Sequence, residues 1–205
     1  MSDLIATFVF FFAVIDPIGT VPVFIAVTSR FDKQTKQKIA LQAALVSAAV
    51  LMFFLVAGEI ILTSIGIPLS AFQIAGGIVL FLFALSMIFG ESKPEGEVKL
   101  VRRGMETAIF PLAVPSIASP GAMLAAVLLT ENSKHSISEQ AVIALVMLSV
   151  LVVTWGLMNA STFIYRFIGD SGASIISRVM GLILSSVAVT SVLAGIRDYF
   201  GLAGA

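Results

Sequence analysis

One carboxyl group, that of Asp16, stands near the middle of an apolar stretch whose other ionisable side chains are Asp3 and Arg30. If this stretch crosses a membrane, a carboxyl group at that depth is energetically costly unless it is protonated, paired or hydrated. It could then carry a coupling proton, bind a coupling cation or receive the ammonium group of a substrate. It could also be a structural cap, because an Asp before Pro17 can accept from the amides of a helix that follows. Both interpretations stand at this stage.

Two proline pairs with the same spacing interrupt apolar stretches of the chain, at positions 17 and 22 and at positions 115 and 120. Proline cannot donate a backbone hydrogen bond and obstructs the carbonyl four residues earlier, so we expect the helix to unwind between the members of each pair. Free peptide groups are tolerated inside a membrane only where protein or a polar cavity surrounds them. A helix that restarts after such a break points its amides at the centre, where a carboxylate is the expected guest.

The two breaks define the predicted substrate site, because their small and hydroxyl-bearing residues leave space and hydrogen-bonding groups for a solute. The residues assigned to substrate binding are Asp16, Pro17, Gly19, Thr20, Pro115, Ser116, Ser119 and Gly121. Asp16 is also the predicted coupling residue. Gln73, Asn159 and Thr190 could line a path to the site. The alternatives are an interhelical contact for Asn159 and a hydrogen bond of the Thr190 hydroxyl within its own helix.

The composition excludes a water-soluble globular protein. Hydrophobic residues make up 59% of the 205 residues and charged residues 12%, and the mean hydropathy is +1.08. Soluble domains are about half apolar and roughly a quarter charged. Twelve basic residues balance twelve acidic ones, so no net positive field is available for nucleic acid. Without cysteine, and with His135 as the single histidine, the chain lacks the ligands of a zinc site, and we expect no metal.

The apolar stretches predict an all-α polytopic membrane protein with six transmembrane helices, of which helices one and four are broken at the paired prolines. Each span needs about 20 mostly apolar residues, and charged or turn-forming segments separate the spans. No basic residue precedes the first apolar run, which is longer than the apolar core of a signal peptide, so we expect it to remain in the mature protein. The predicted spans are 4–29, 39–65, 69–89, 108–130, 141–165 and 175–196.

The distribution of basic residues predicts the orientation of the chain. Ten of the twelve lysines and arginines follow the first, third and fifth spans, and only Lys134 and Arg197 lie on the other side. Basic residues accumulate in cytoplasmic loops. We therefore expect both termini outside the cytoplasm and the charged loop 91–106 inside it, in a protein integral to the cytoplasmic membrane.

The two halves of the chain show a weak internal repeat within one transmembrane domain, residues 1–205. The repeats are 1–90 and 104–205, joined by a cytoplasmic linker at 91–103. The proline pairs correspond at an offset of 98 positions, whereas Gly77 and Gly181 correspond at 104. Each half has three spans, so the second half must enter the membrane from the opposite side. Inverted repeats with interrupted helices in corresponding positions are typical of secondary transporters and indicate a site near the midplane.

Four sequence segments carry a resemblance to a known family, namely 16–22, 74–77, 111–121 and 177–184. Together they resemble the MarC family of six-span bacterial and archaeal membrane proteins, and the resemblance runs nearly end to end. It implies an integral inner-membrane protein and, through the SnatA-like branch of the family, transport of small neutral amino acids such as glycine and alanine. The chain departs from the family pattern at Gln73, where Arg is frequent, and at Ile117 and Ser119, where Thr and Gly are usual.

The favoured function is a secondary transporter of a small neutral amino acid, coupled to a proton or a sodium ion, which would be its only cofactor. A passive channel would share the polar midplane, and a structural or regulatory membrane protein would use the broken helices for assembly alone. An enzyme is not expected, because Asp16 has no central carboxyl partner, no span holds a histidine and no phosphate-binding loop is present. The expected partners are the amino acid and the lipid bilayer, with homo-oligomerisation left open.

Overall fold

The structure is a computed structural model that describes residues 2–89, 112–132 and 134–202, and all regular structure in these ranges is helical. The helices are α1 (Ser2–Ile15), α2 (Pro17–Thr28), α3 (Lys33–Ser64), α4 (Leu69–Phe89), α5 (Pro120–Leu128), α6 (Ile137–Asn159) and α7 (Ser161–Tyr199). A short π-helical segment, Leu112–Ile117, precedes α5. The prediction of an all-α fold is confirmed for these ranges.

Five segments of the described chain are long and apolar enough to cross a membrane. They are Leu4–Thr28, Lys33–Ser64, Leu69–Phe89, Ile137–Asn159 and Ser174–Tyr199. The predicted fourth span, 108–130, begins outside the described ranges, as does the whole of the predicted linker 91–103. Its described part consists of the π-helical segment and the nine residues of α5.

The segment formed by α1 and α2 lies at the centre of the bundle. Buried residues make up 67% of its most apolar window, against 17% for Lys33–Ser64 and 22% for Leu69–Phe89. The two outer segments expose large apolar side chains such as Leu45, Val56 and Leu82, as expected of surfaces that face lipid. The first broken helix is therefore surrounded by protein, which is where interrupted backbone is tolerated inside a membrane.

Side-chain caps set the starts of α3 and α6. Asp32 accepts from the backbone N–H of Gln34 at 3.1 Å, and its hydrogen bond with the Thr35 hydroxyl holds the pKa of Asp32 below its usual value. Ser136 and Glu139 form a capping box at the start of α6. The predicted start of the second span at residue 39 is therefore six residues late, because the Asp32 cap lets the helix begin in the polar connector.

Two glycines with positive φ mark the remaining turns. Gly66 (φ 73°) lies between α3 and α4, and Gly169 (φ 60°) interrupts α7. This conformation suits glycine because it has no Cβ. The predicted fifth span, 141–165, is wrong at its end, since α6 stops at Asn159 and α7 starts at Ser161. The break predicted before the sixth span is found at Gly169.

The closest helix pair is α4 with α7, and glycines on both helices make the approach possible. A Cβ built on Gly77 would lie 3.1 Å from the backbone carbonyl oxygen of Ala188. A Cβ built on Gly181 would lie 3.0 Å from that of Ala84. Along this contact the residue numbers rise in α4 and fall in α7, so the two helices are antiparallel. Small residues of this kind bring helices together in membranes.

Candidate functional site

The first helix break is centred on Asp16. This residue adopts the left-handed conformation (φ 52°, ψ 65°) and separates α1 from α2. Its Oδ1 accepts a hydrogen bond from the backbone N–H of Gly19 at 2.9 Å, and its backbone carbonyl accepts from the Thr20 hydroxyl at 3.0 Å. Asp16 is thus the N-cap of α2, with Pro17 as the first helical residue.

The position of this break corrects the expected unwinding between the two prolines of the first pair. Residues 17–28 are helical, and Pro22 lies inside α2. The chain breaks one residue before Pro17, because the carboxylate of Asp16 takes an amide that has no partner within the helix. Pro22 removes one internal donor from α2 without ending the helix.

The second break extends over residues 112–119 and is longer than the first. Within it the N–H of Ala118 donates to the carbonyl of Ala113, five residues earlier, at 2.8 Å. Val114 has extended dihedral angles (φ −139°, ψ 121°), and its peptide bond to Pro115 is cis. Irregular backbone therefore precedes α5, as predicted for this proline pair.

Ser119 ends the second break and caps α5. Its Oγ accepts from the backbone N–H of Ala122 at 3.1 Å, and Pro120 is the first helical residue. Asp16 with Pro17 therefore has the same local arrangement as Ser119 with Pro120, at an offset of 103 positions. The sequence comparison had matched Pro17 with Pro115, at an offset of 98. These two residues have different local roles, because Pro17 starts a helix and Pro115 lies within the second break.

A hydrogen bond joins the two breaks directly. The Ser119 hydroxyl donates to the backbone carbonyl of Val14 at 2.8 Å, two residues before Asp16. A second hydrogen bond ties the longer break to α3, since the Ser47 hydroxyl donates to the carbonyl of Ala113 at 3.1 Å. The two interrupted segments therefore lie side by side.

The predicted site residues are almost all buried. Asp16 is 1% exposed, and Thr20, Ser116 and Ser119 are 0% exposed. Pro17, Gly19 and Gly121 are buried as well, and Pro115 is half-buried. Most of these residues are therefore closed to solvent within the described part of the chain.

The glycines of the site make room for protein side chains. A Cβ on Gly19 would overlap the carboxylate of Asp16, and a Cβ on Gly121 would lie 2.5 Å from Leu80 Cδ1. Across the same contact between α4 and α5, a Cβ on Gly76 would lie 2.5 Å from Leu124 Cδ1. Because Gly19 has no side chain, the carboxyl group of Asp16 can fold back over the start of α2. Because Gly76 and Gly121 have none, α5 can pack closely against α4.

The three predicted path residues lie on α4, α6 and α7, and the hydrogen bonds of Asn159 and Thr190 stay within their own helices. Thr190 is exposed and donates to the carbonyl of Ser186 in its own helix. Asn159 is exposed and donates to the carbonyl of Trp155 at 2.8 Å. Gln73 is half-buried on α4. For Thr190 this contact fits the structural alternative weighed from the sequence, whereas Asn159 bonds within its own helix and not between helices. A role of the three residues in a path stays a prediction.

Sequence reasoning missed Ser47. Its side chain is 0% exposed, and its hydroxyl faces two acceptors, the carbonyl of Ala43 in its own helix at 2.8 Å and that of Ala113 in the second break at 3.1 Å. A signal was present, because Ser47 is the only polar side chain between Gln42 and Glu59. Glu59, in the last turns of α3, accepts from the backbone N–H of Asn132 at 2.8 Å and so anchors the loop before α6.

The arrangement offers hydrogen-bonding chemistry around one buried carboxyl group. Across residues 2–89, 112–132 and 134–202, no three His, Asp or Glu side chains come close enough together to hold a metal ion. The groups gathered at the breaks are helix amides, backbone carbonyls, hydroxyls and the carboxyl group of Asp16. These groups suit a small polar or zwitterionic solute, or a coupling cation.

Comparison with known proteins identifies the family. Residues 1–200 match the model of the MarC family, described as integral membrane proteins. The UPF0056 membrane protein MJ1677 of Methanocaldococcus jannaschii is 35% identical over 200 residues, which cover 96% of this chain and 97% of that protein. The UPF0056 inner membrane protein YhgN of Escherichia coli K12 is 33% identical over 202 residues, covering 96% and 98%.

A second Escherichia coli K12 protein, the UPF0056 membrane protein YhcE, is 32% identical over 199 residues, covering 94% of this chain and 91% of that protein. No solved structure matches the chain. The family match spans nearly the whole sequence and agrees with five apolar segments of membrane-spanning length. The chain therefore belongs to the MarC family of integral membrane proteins.

Proposed function

We propose that this protein is a secondary transporter of small neutral amino acids of the glycine or alanine type, coupled to a proton or a sodium ion. The observation that carries the proposal is the meeting of two helix breaks at the Ser119 to Val14 hydrogen bond, beside the buried carboxyl group of Asp16. Interrupted helices that meet inside the protein are the usual construction of a transporter site.

We infer that the chain is an inverted repeat of two three-span halves, an architecture that would suit this function. Corresponding residues share local roles at nearly constant offsets, which are 103 for the caps Asp16 and Ser119 and 104 for the caps Asp32 and Ser136. The positive-φ glycines at 66 and 169 also lie 103 apart. The offset between corresponding residues of the two halves is thus 103 to 104 throughout, instead of changing from 98 at the proline pairs to 104 at Gly77 and Gly181.

The contact between α4 and α7 has the reciprocity that a two-fold axis in the membrane plane requires. Gly77 approaches Ala188, and Gly181 approaches Ala84. Each residue of the first contact has its counterpart in the second at an offset of 104. A two-fold axis would exchange the two helices and leave the contact unchanged. We place this axis between α4 and α7, with the two breaks related by it.

The helix starts supply recognition for a substrate carboxylate. In each break proline occupies the first helical position without an N–H, and the cap takes the N–H of the third position. The second amide, that of Ile18 in α2 and Gly121 in α5, is the one that the cap does not engage. The positive ends of both helix dipoles favour an anion there, and Asp16 is left to take up the coupling proton or sodium ion.

Alternating access would follow from rocking one repeat against the other. The closed centre, with Thr20, Ser116 and Ser119 at 0% exposure, corresponds to an occluded state in such a cycle. The packing around Gly19 and Gly121 leaves little space beside the breaks, which favours substrates with very small side chains. We place the protein in the cytoplasmic membrane with both termini outside.

The test is amino-acid counterflow in proteoliposomes. Vesicles loaded with unlabelled glycine should accumulate radiolabelled glycine transiently, and vesicles loaded with leucine should not. A passive channel would equilibrate label without overshoot. A matched variant, Asp198→Asn, removes a carboxylate from the exposed end of α7 and should leave counterflow unchanged. Absence of counterflow for glycine, alanine and serine in correctly folded protein would refute the proposal.

One observation favours a structural or regulatory function as the second candidate. The groups released by the breaks are engaged internally, since Asp16 caps α2 and Ser119 both caps α5 and bonds to Val14. Broken helices stabilised in this way could serve assembly alone. Counterflow decides between the two candidates, because only a transporter exchanges solute.

A further inference from the structure

A cavity with both polar and apolar lining residues lies at one end of the bundle, where the start of α3 faces the junction of α6 and α7. Its volume is about 460 Å³. The lysines Lys33 and Lys36 line it from α3, and Asn159, Ser161 and Thr162 line it from the junction. Two positive charges and several hydrogen-bonding side chains thus face a shared space at the level where the chain leaves the apolar spans.

An apolar groove of about 340 Å³ lies between the same two helices, α3 and α6. All eight residues that line it are apolar. They are Leu41, Ala44, Leu45 and Ala48 from α3 and Leu148, Leu151, Val152 and Trp155 from α6. Trp155 is 40% exposed, so this groove opens to the outside of the bundle.

The cavity and the groove form one continuous surface, which we call the α3–α6 groove. On α3, positions 33, 36 and 37 of the cavity and 41, 44, 45 and 48 of the groove recur every three or four residues and share a helix face. On α6, Met158 and Asn159 of the cavity continue the face that carries Trp155. From Lys33 to Ala48 this surface runs about 22 Å along the helix axis.

These dimensions and charges match one phospholipid molecule. One leaflet contributes about 15 Å of hydrocarbon, and the headgroup occupies the remaining length. Basic pockets between transmembrane helices bind acidic lipid headgroups, and a tryptophan near the interface is a frequent neighbour of lipid. We propose that the α3–α6 groove binds an anionic phospholipid, with its phosphate at Lys33 and Lys36 and an acyl chain along the apolar part beside Trp155.

The single tryptophan of the chain provides the test. The full-length protein is placed in phosphatidylcholine vesicles, and phosphatidylglycerol or phosphatidylcholine with acyl chains brominated near the glycerol end is added in trace amounts. Bromine quenches tryptophan on contact. Each lysine near the surface favours an acidic lipid by about fivefold. We therefore expect the brominated phosphatidylglycerol to quench Trp155 at a roughly thirtyfold lower fraction than the brominated phosphatidylcholine.

Two variants separate a defined site from general attraction of acidic lipid. The double variant Lys33→Gln with Lys36→Gln should lose the preference for phosphatidylglycerol. Lys38→Gln removes one positive charge from an exposed position of α3 outside the cavity and should keep the preference. Thermal unfolding checks that each variant folds.

Three results would overturn the proposal. They are equal quenching by the two lipids, equal loss of preference in Lys38→Gln and in the double variant, and a Trp155 shielded from both lipids. The last result would mean that a second copy of the chain covers the groove.

Discussion

Replacement of Asp16 separates its capping role from its proposed coupling role. Asn has the same shape as Asp, can accept the Gly19 N–H through its side-chain oxygen, and tolerates the left-handed conformation of residue 16. Asp16→Asn should therefore change the free energy of unfolding by no more than about 0.5 kcal/mol. It removes the only ionisable side chain of the two breaks, at residues 16 and 112–119, so an effect on coupling would not be confounded by a loss of structure.

Asp16→Ala removes the cap and also places an unsuitable residue at φ 52°. Loss of an N-cap costs about 1 kcal/mol, and the left-handed conformation costs a residue with a Cβ roughly 1–2 kcal/mol. The expected loss of stability is about 2–3 kcal/mol. Asp16→Gly avoids the conformational strain and loses only a few tenths of a kcal/mol relative to a good cap. The predicted order of stability is Asn, then Gly, then Ala.

Two assays read the series. Reversible unfolding in mixed micelles gives the stability order, and proteoliposome transport gives the function. We expect Asp16→Asn to keep glycine counterflow but to lose accumulation driven by a proton or sodium gradient, because the coupling carboxyl group is gone. Equal destabilisation by Asn and Ala would refute the capping argument. Gradient-driven accumulation that survives in Asp16→Asn would remove the coupling role.

Three further predictions follow from particular contacts. Gly181→Leu should destabilise the protein by about 1–3 kcal/mol or more through overpacking, because a Cβ there already lies 3.0 Å from a carbonyl of α4. Gly156→Leu is the control and should be tolerated, because a Cβ at position 156 meets nothing within 4 Å. An equal loss of unfolding free energy in both variants would contradict the close approach of α4 and α7. Ser47→Ala should lower the free energy of unfolding by about 1 kcal/mol in the same assay, whereas Ser149→Ala on the surface of α6 should leave it almost unchanged. Equal decreases in the two variants would contradict the hydrogen bond from Ser47 to Ala113. A cysteine introduced by Ser138→Cys into this cysteine-free chain should react with an impermeant thiol reagent in intact cells, and reaction only after permeabilisation would reverse the predicted orientation.

Charge and hydropathy were sufficient to predict the helical membrane fold. The absence of charge over about 20 residues is a strong signal for a span, and the segments at 39–65 and 69–89 differ from the observed helices by few residues apart from the start of α3. That start depends on Asp32, whose side chain caps a helix in a polar connector. Such a local hydrogen bond is not visible in hydropathy.

The existence of two breaks was predictable from proline, but their positions were not. Proline shows where a helix lacks a donor, whereas the residue that supplies a cap decides where the helix begins. Asp16 and Ser119 are those residues, so the helix starts follow the caps and not the spacing of the proline pairs. Pro22 remains inside α2, because one missing hydrogen bond in a buried helix is a smaller penalty than a second break.

Contacts between distant parts of the chain lay beyond the sequence pattern. The hydrogen bonds from Ser119 to Val14 and from Ser47 to Ala113 join residues 105 and 66 positions apart. The occupation of the space beside Gly19 by the Asp16 carboxylate likewise depends on a left-handed residue that composition and spacing do not reveal. Hydropathy and spacing thus singled out the residues of the two breaks, but not the contacts that these residues make.

The most direct test of the central claim is protection of a cysteine at position 116 by substrate. Ser116 lies in the second break and is 0% exposed, and the chain has no other cysteine to react. We predict that glycine or alanine slows the reaction of the Ser116→Cys variant with a small thiol reagent, and that leucine does not. If this variant retains glycine counterflow but reacts at the same rate with and without glycine, the substrate binds elsewhere and the two helix breaks do not form its site.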